Sequence, residues 1–328
     1  MLMVYALFIL GFFLLIKGAE WLIDGASMLA RKIGISELIV GLTVVAFGTS
    51  LPELVVNLFA GGQSGALAIG NVLGSNIANT LLILGVAAII HPLSIRRTTV
   101  YREIVFNVLA AFMLGVLVSE RLMTAGGFNG LDRIDGVVLV SYFVVFIYYT
   151  FGRKFFFHAE GDDEEEVIEF DHKHHKFSLK WSLFRVAVGS AGLYLGGKWI
   201  VDGAIDLATL IGVSDALIGL TIVAVGTSLP ELAATVIAVR KARVDIAVGN
   251  IVGSNLFNIF WVLGLSAIFN PLAFSNELFA DVLINLLVAL FLFGTMVFGK
   301  HRHQISKSEG YTFVALYAAY LAFAIIQG

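Results

Sequence analysis

Ten apolar runs, each long enough to cross a bilayer at about 20 residues per crossing, leave this chain few folds to choose from. They fall near 3–23, 36–60, 66–90, 101–119, 134–152, 180–202, 213–238, 245–269, 278–298 and 311–326. Lipid offers a backbone no hydrogen bonds, so such runs cross as helices. The expected fold class is an all-α polytopic membrane protein with ten transmembrane helices. Composition agrees: 59% of the residues are apolar and 14% charged, where a water-soluble domain carries roughly a quarter charged. A net charge of −3 over 328 residues speaks against a nucleic-acid partner. The absence of cysteine excludes disulfides and thiol chemistry. The chain opens into an apolar run with no basic leader or A-x-A site, so a cleaved signal peptide is not expected.

Basic residues sort the connections into two sets. Arg31 and Lys32, then Arg96, Arg97 and Arg102, then Arg153, Lys154, Lys173, Lys176 and Lys180 fall on one side. Arg240, Lys241, Arg243, Lys300, Arg302 and Lys307 join them, making sixteen of the 21 basic residues. The other side receives only Arg121 and Arg133. Positive loops stay in the cytoplasm. The expected placement is a multi-pass protein of the plasma (inner) membrane with both termini outside and loop 153–179 in the cytoplasm.

The chain also repeats itself. GTSLPEL at 48–54 returns at 226–232, and at this offset of 178 Gly11, Gly18, Trp21, Asp24, Gly25, Gly34, Ser36, Gly41 and Thr43 all meet identical residues. After one inserted residue, GNVLGSN at 70–76 matches GNIVGSN at 249–255. The expected organisation is a five-helix repeat at 1–152, an acidic loop at 153–179 and a second five-helix repeat at 180–328. Five is odd, so the second repeat enters the membrane from the opposite face. Inverted repeats enclosing a midplane site are the mark of alternating-access transporters.

Chemistry concentrates in the duplicated segments. Pro52 and Pro230 each fall inside an apolar run, where proline removes a hydrogen bond and breaks the helix; lipid tolerates such a break only where the backbone lines a cavity. Thr49, Ser50 and Glu53, and likewise Thr227, Ser228 and Glu231, share a face at i, i+3 and i+4 spacing. Inversion brings the two carboxylates together near the midplane. Each costs about 2.5–3.5 kcal/mol at that depth, and a divalent cation relieves both the burial and the mutual repulsion. Hard oxygen ligands without neighbouring His or Cys favour calcium. Asn71, Ser75 and Asn79, mirrored by Asn250, Ser254 and Asn258, run along one helical face and are expected to add ligands; small polar residues also serve as glue between membrane helices. Elsewhere the run GDDEEEVIEFDHKHH at 161–175 reads as a solvated linker. Asp24 and Asp202 read as interfacial anchors, and Lys17 and Glu20 as an intrahelical pair.

These motifs resemble the alpha repeats of the calcium/cation antiporter superfamily, in its prokaryotic sodium/calcium exchanger-like branch, over nearly the whole chain. The resemblance implies that Glu53 and Glu231 hold calcium with the backbone carbonyls of Thr49 and Thr227. It implies sodium sites built from Ala46, Ser50, Ser75, Ala224, Ser228 and Ser254 with the same glutamates, completed by Asn79 and Asn258. Several relatives, potassium-dependent ones among them, carry Asp at the position of Asn258, so the neutral amide argues against potassium cotransport. The implied function is Ca2+/Na+ antiport by alternating access, with no enzymatic activity, no cofactor, no obligatory protein partner, and small cations and lipid as the only partners. A Ca2+/H+ antiporter using the same glutamates is the competing reading. A channel or an intramembrane hydrolase would not need its acid motif duplicated across inverted halves.

Overall fold

The computed structural model describes residues 2–61, 64–119, 129–156, 178–210, 226–299 and 301–327, and these are almost wholly helical. The first half contributes α1 (Leu2–Ile33), α2 (Glu37–Thr49), α3 (Leu51–Gly61), α4 (Gly65–Ile90), α5 (Arg97–Val118) and α6 (Arg133–Phe156). The second contributes α7 (Leu179–Leu210), α8 (Leu229–Arg240), α9 (Val244–Phe269), α10 (Asn276–Phe298) and α11 (Lys307–Gln327). Seven of these are long and apolar enough to cross a membrane, and α2 with α3 makes an eighth span bent by 44°. The remaining two expected runs fall on α7, 32 residues long but interrupted by Lys198, Asp202 and Asp206, and on α8. Residues 213–225 of the run containing α8, and 157–177 of the acidic loop, lie outside the described residues.

Two short ribbons display the inversion. β1 (Leu93–Ser94) pairs antiparallel with β4 (Gln304–Ile305), and β2 (Gly130–Leu131) with β3 (Leu272–Ala273). β1 and β3 occupy equivalent places in the two repeats, as do β2 and β4. Each ribbon therefore joins the first strand of one half to the second strand of the other. Ion pairs gather further connections at the β1–β4 end: Arg96 lies 3.7 Å from Asp245, Arg243 2.5 Å from Glu37, and Lys241 2.5 Å from Asp24, which Arg185 also approaches at 3.8 Å. The connections at 31–36, 91–96, 241–243 and 301–306 thus share one end of the bundle, as the alternation of basic loops requires.

α1 and α7 make the most extensive helix–helix contact among the described residues. Glycine recurs every seventh residue on each, at 11, 18 and 25 and at 189, 196 and 203, which lines one face over two-turn steps. A Cβ at Gly18 would stand 2.6 Å from the Leu193 backbone nitrogen and 2.8 Å from the Gly189 carbonyl oxygen. The two backbones touch there, and only glycine fits. Without a hydrophobic drive between helices in lipid, such close backbone packing is what holds them.

The bundle is polar at its centre and apolar outside. Ile9, Phe13, Val144, Leu287 and Phe298 are exposed, while Thr49, Ser50, Glu53, Asn79, Glu231, Asn250, Ser254 and Asn258 are all buried. That inverts the pattern of a protein in water and suits a solvent of acyl chains.

Candidate cation-binding site

The site begins at two matching helix breaks. Ser50 leaves the helix at φ −88°, ψ 7°, and Ser228 does the same at φ −89°, ψ 5°. Pro52 and Pro230 then sit in the first turns of α3 and α8, where a missing N–H costs nothing because the first-turn donors have no partner within the helix. The proline is thus the start of a second helix, where the sequence suggested a break within one. Glu53 and Glu231 stand in those first turns, at the positive ends of the helix dipoles, a position that favours a carboxylate.

Both glutamates are buried, and their charges act on each other. Ser50, from the first repeat, donates to Glu231 Oε1 at 3.0 Å, and Ser254 reaches the same oxygen at 3.5 Å. The Thr49 hydroxyl lies within reach of Asn250 Oδ1 at 3.1 Å and Ser254 Oγ at 3.4 Å. Glu53 Oε1 and Oε2, Glu231 Oε2, Asn79 Oδ1, Asn258 Oδ1, Ser75 Oγ and Ser228 Oγ are buried without a hydrogen-bond partner. A buried polar atom left unpaired costs about 1–3 kcal/mol, and more when charged. Seven such oxygens lie on residues the duplicated motifs had singled out. Among the described residues no cluster of three carboxylate or imidazole groups occurs, so two carboxylates set the charge of the centre.

The candidate ligands are carried by facing elements. α4 and α9 pass through π-helical turns at Ala78–Ile83 and Phe257–Leu263, which hold Asn79 and Asn258; such turns concentrate at functional sites. α3, with Glu53, packs on the turn holding Asn258, and α8, with Glu231, on the turn holding Asn79. Each glutamate-bearing helix therefore packs against the turn that carries an amide of the other repeat.

Of the twelve expected site residues, Thr49, Ser50, Glu53, Ser75, Asn79, Ser228, Glu231, Ser254 and Asn258 are buried in this centre, and Thr227 lies half-buried on the second break. Ala46 is buried, but its carbonyl already accepts from the Ser50 N–H at 2.9 Å and lies 3.2 Å from the Thr49 hydroxyl. Ala224 lies outside the described residues. Asn71 and Asn250 are each bonded to a side chain of their own repeat. Asn71 donates to Asn57 Oδ1 and Asn250 to Thr235 Oγ1, each at 3.0 Å. Sequence reasoning missed Asn57, Thr235, Asn76, Asn255 and Thr80, all buried polar residues of this region. Asn76 and Asn255 stand inside the duplicated GSN triplets, which was the available signal.

Inverted helical repeats enclosing buried carboxylate, amide and hydroxyl groups are the architecture of membrane transporters. The chain belongs to the family described as sodium/calcium exchanger protein, whose family model matches residues 3–152 and 181–326. The sodium/calcium exchanger MaX1 of Methanosarcina acetivorans is 33% identical, with 97% of each chain covered. The inner membrane protein YrbG of Escherichia coli is 36% identical over 88% of this chain and 89% of its own. The solved structure of the sodium/calcium exchanger from Methanococcus jannaschii superposes with a TM-score of 0.80 at 29% identity, covering 98% of this chain and 99% of the other.

Proposed function

We propose that this chain exchanges Ca2+ for Na+ across the membrane by alternating access, with Glu53 and Glu231 as the shared ligands. The observation that carries the reading is the set of seven buried, unpartnered oxygens on Glu53, Glu231, Asn79, Asn258, Ser75 and Ser228. The centre carries about two negative charges. One calcium offsets them, and so do two or more sodium ions spread over the flanking hydroxyl and amide oxygens. Ligands shared between the two ions make their binding mutually exclusive, which is what converts two affinities into exchange. Ser50, Ser254, Thr49 and Thr227 line the same centre and serve the sodium-loaded form, with Ala46 and Ala224 at its edge. The two repeats present unequal surroundings, since Glu231 is held by Ser50 while Ser228 makes no reciprocal bond to Glu53. Inverted repeats caught in unequal arrangements are what a protein open to one side at a time displays. The basic end faces the cytoplasm of the plasma (inner) membrane, together with the 153–179 loop, and the termini face outward.

The test is radiolabelled calcium uptake into proteoliposomes preloaded with sodium, potassium or protons, for the natural chain, Glu53→Gln and Glu231→Gln. Uptake that requires an outward sodium gradient and vanishes in both variants is the expected result. Uptake driven only by protons would replace sodium as the counter-ion, and wild-type uptake in Glu53→Gln would remove the assigned site.

A further inference from the structure

An asparagine offers a cation either an oxygen or an NH2 group, and a half-turn of the amide exchanges them at nearly identical shape. Something must decide which end faces the centre. For Asn258 the decision can be followed to a group with no choice. Asn76 Nδ2 donates to the backbone carbonyl oxygen of Asn255 at 3.2 Å, and a carbonyl has no proton to give. Turning Asn76 over would set oxygen against oxygen, so Asn76 presents its Oδ1 on the other side as an acceptor. Asn258 Nδ2 fills that acceptor at 3.1 Å. The Asn258 oxygen is thereby left buried and partnerless, one helical turn beyond Ser254 and against the helix that carries Glu53.

The other repeat carries a parallel chain of amides, which ends on a hydroxyl able to accept or donate. Asn79 Nδ2 donates to Asn255 Oδ1 at 3.1 Å, and Asn255 Nδ2 donates to Thr80 Oγ1 at 2.9 Å. Asn79 Oδ1 is again buried without a partner. Asn76 and Asn255 are equivalent positions of the two repeats, and so are Asn79 and Asn258. Each repeat therefore aims the ligand of the other.

We propose that Asn76 and Asn255 are positioning residues that hold Asn258 and Asn79 with their amide oxygens turned to the transported cation. They touch no cation themselves. The assignment rests on the reading of Asn79 and Asn258 as ligands. On that reading the two residues act on affinity through amide orientation, and a ligand with two equivalent oxygens would not need them.

A double-mutant cycle on calcium exchange in proteoliposomes tests this. Asn76→Leu is expected to raise the calcium KM by about 10–100-fold, the usual cost of losing a group that orients a metal ligand, with a smaller change in maximal rate. In an Asn258→Asp background both carboxylate oxygens accept, orientation is irrelevant, and most of that cost should disappear. An equal rise in KM in both backgrounds would show Asn76 to be mere packing and overturn the proposal. Asn258→Leu separates this from the underlying site: an unchanged calcium KM in that variant removes Asn258 as a ligand, and the positioning role with it. The symmetry-related cycle, Asn255→Leu with and without Asn79→Asp, decides the matter should Asn76→Leu not fold.

Discussion

On the proposed reading, a buried carboxylate without a partner is stabilised when a cation binds. Glu53 has neither oxygen bonded, whereas Glu231 shares one with Ser50 and Ser254. A ligand that binds only the folded form stabilises it by about 2.7 kcal/mol at a hundred times its Kd. The detergent-solubilised protein should therefore melt at a higher temperature with calcium added. Glu53→Gln should abolish that calcium-dependent rise while leaving a protein that still unfolds cooperatively, which a thermal scan with and without calcium reads directly. A second residue-scale feature is Ala242, at φ 56° in the turn that ends α8, where the Arg243 N–H reaches back to the Ala238 carbonyl at 2.8 Å. An L-residue in that region costs about 1–2 kcal/mol relative to its ordinary conformation. Ala242→Gly should raise the melting temperature, and exchange should be unaffected because Lys241 and Arg243 keep their places on either side.

At the scale of elements, two glycines separate packing from propensity. Gly18 meets the backbone of α7 at 2.6 Å from a would-be Cβ, and no side-chain rotation can make room. Gly18→Val should destabilise the protein by about 1–3 kcal/mol or more, the cost of overpacking a tight contact, seen as a lowered melting temperature and lost exchange. Gly294, in α10, has nothing among the described residues within 4 Å of its would-be Cβ. Gly294→Ala should be neutral or stabilising by up to about 1 kcal/mol, as glycine in a helix interior is disfavoured by that amount relative to alanine. The long α1–α7 contact marks these helices as one unit, joined to the rest at the basic end through Asp24.

For the whole molecule, the ion pairs break the symmetry that the repeats establish. Asp24 has Lys241 and Arg185 beside it, whereas at the positions equivalent to those two its counterpart Asp202 has Gln63 and Leu7, neither of them basic. Asp202 is paired with Lys198 of its own helix at 2.6 Å. Among the described residues, the ion pair that ties α1 to the end of α8 lies at the basic end. If alternating access moves α1 and α7 against the bundle, Asp24 and Lys241 must part during each cycle. The chain has no cysteine, so a variant with Asp24→Cys and Lys241→Cys carries one thiol pair on a clean background. Oxidation of that pair should stop sodium-driven calcium uptake and reduction should restore it. The same pair of thiols at Ser94 and Gln304, partners across β1 and β4, should leave uptake intact. Undiminished uptake in the oxidised Asp24–Lys241 pair would show that α1 and α8 do not part at this end during exchange.

Sequence alone established the helical architecture and singled out Glu53 and Glu231, both of them buried. The apolar runs map to helices wherever they are described, because lipid leaves the backbone no alternative. The inversion followed from an odd number of runs per repeat and is visible in the crossed β1–β4 and β2–β3 ribbons. Glu53 and Glu231 were legible because a carboxylate is costly in an apolar run, and a cost that recurs at the same place in both repeats points to a charge they hold in common. Asn71 and Asn250 share a helical face with Ser75, Ser254, Asn79 and Asn258, but spacing could not say that their NH2 groups are taken by Asn57 and Thr235. Asn76 and Asn255 show the converse, since their work is done across a repeat interface by bonds between residues more than 170 positions apart. Spacing along a helix says which side chains share a face. Only the packed structure decides which way a hydrogen bond runs between faces, and so which oxygens remain for an ion.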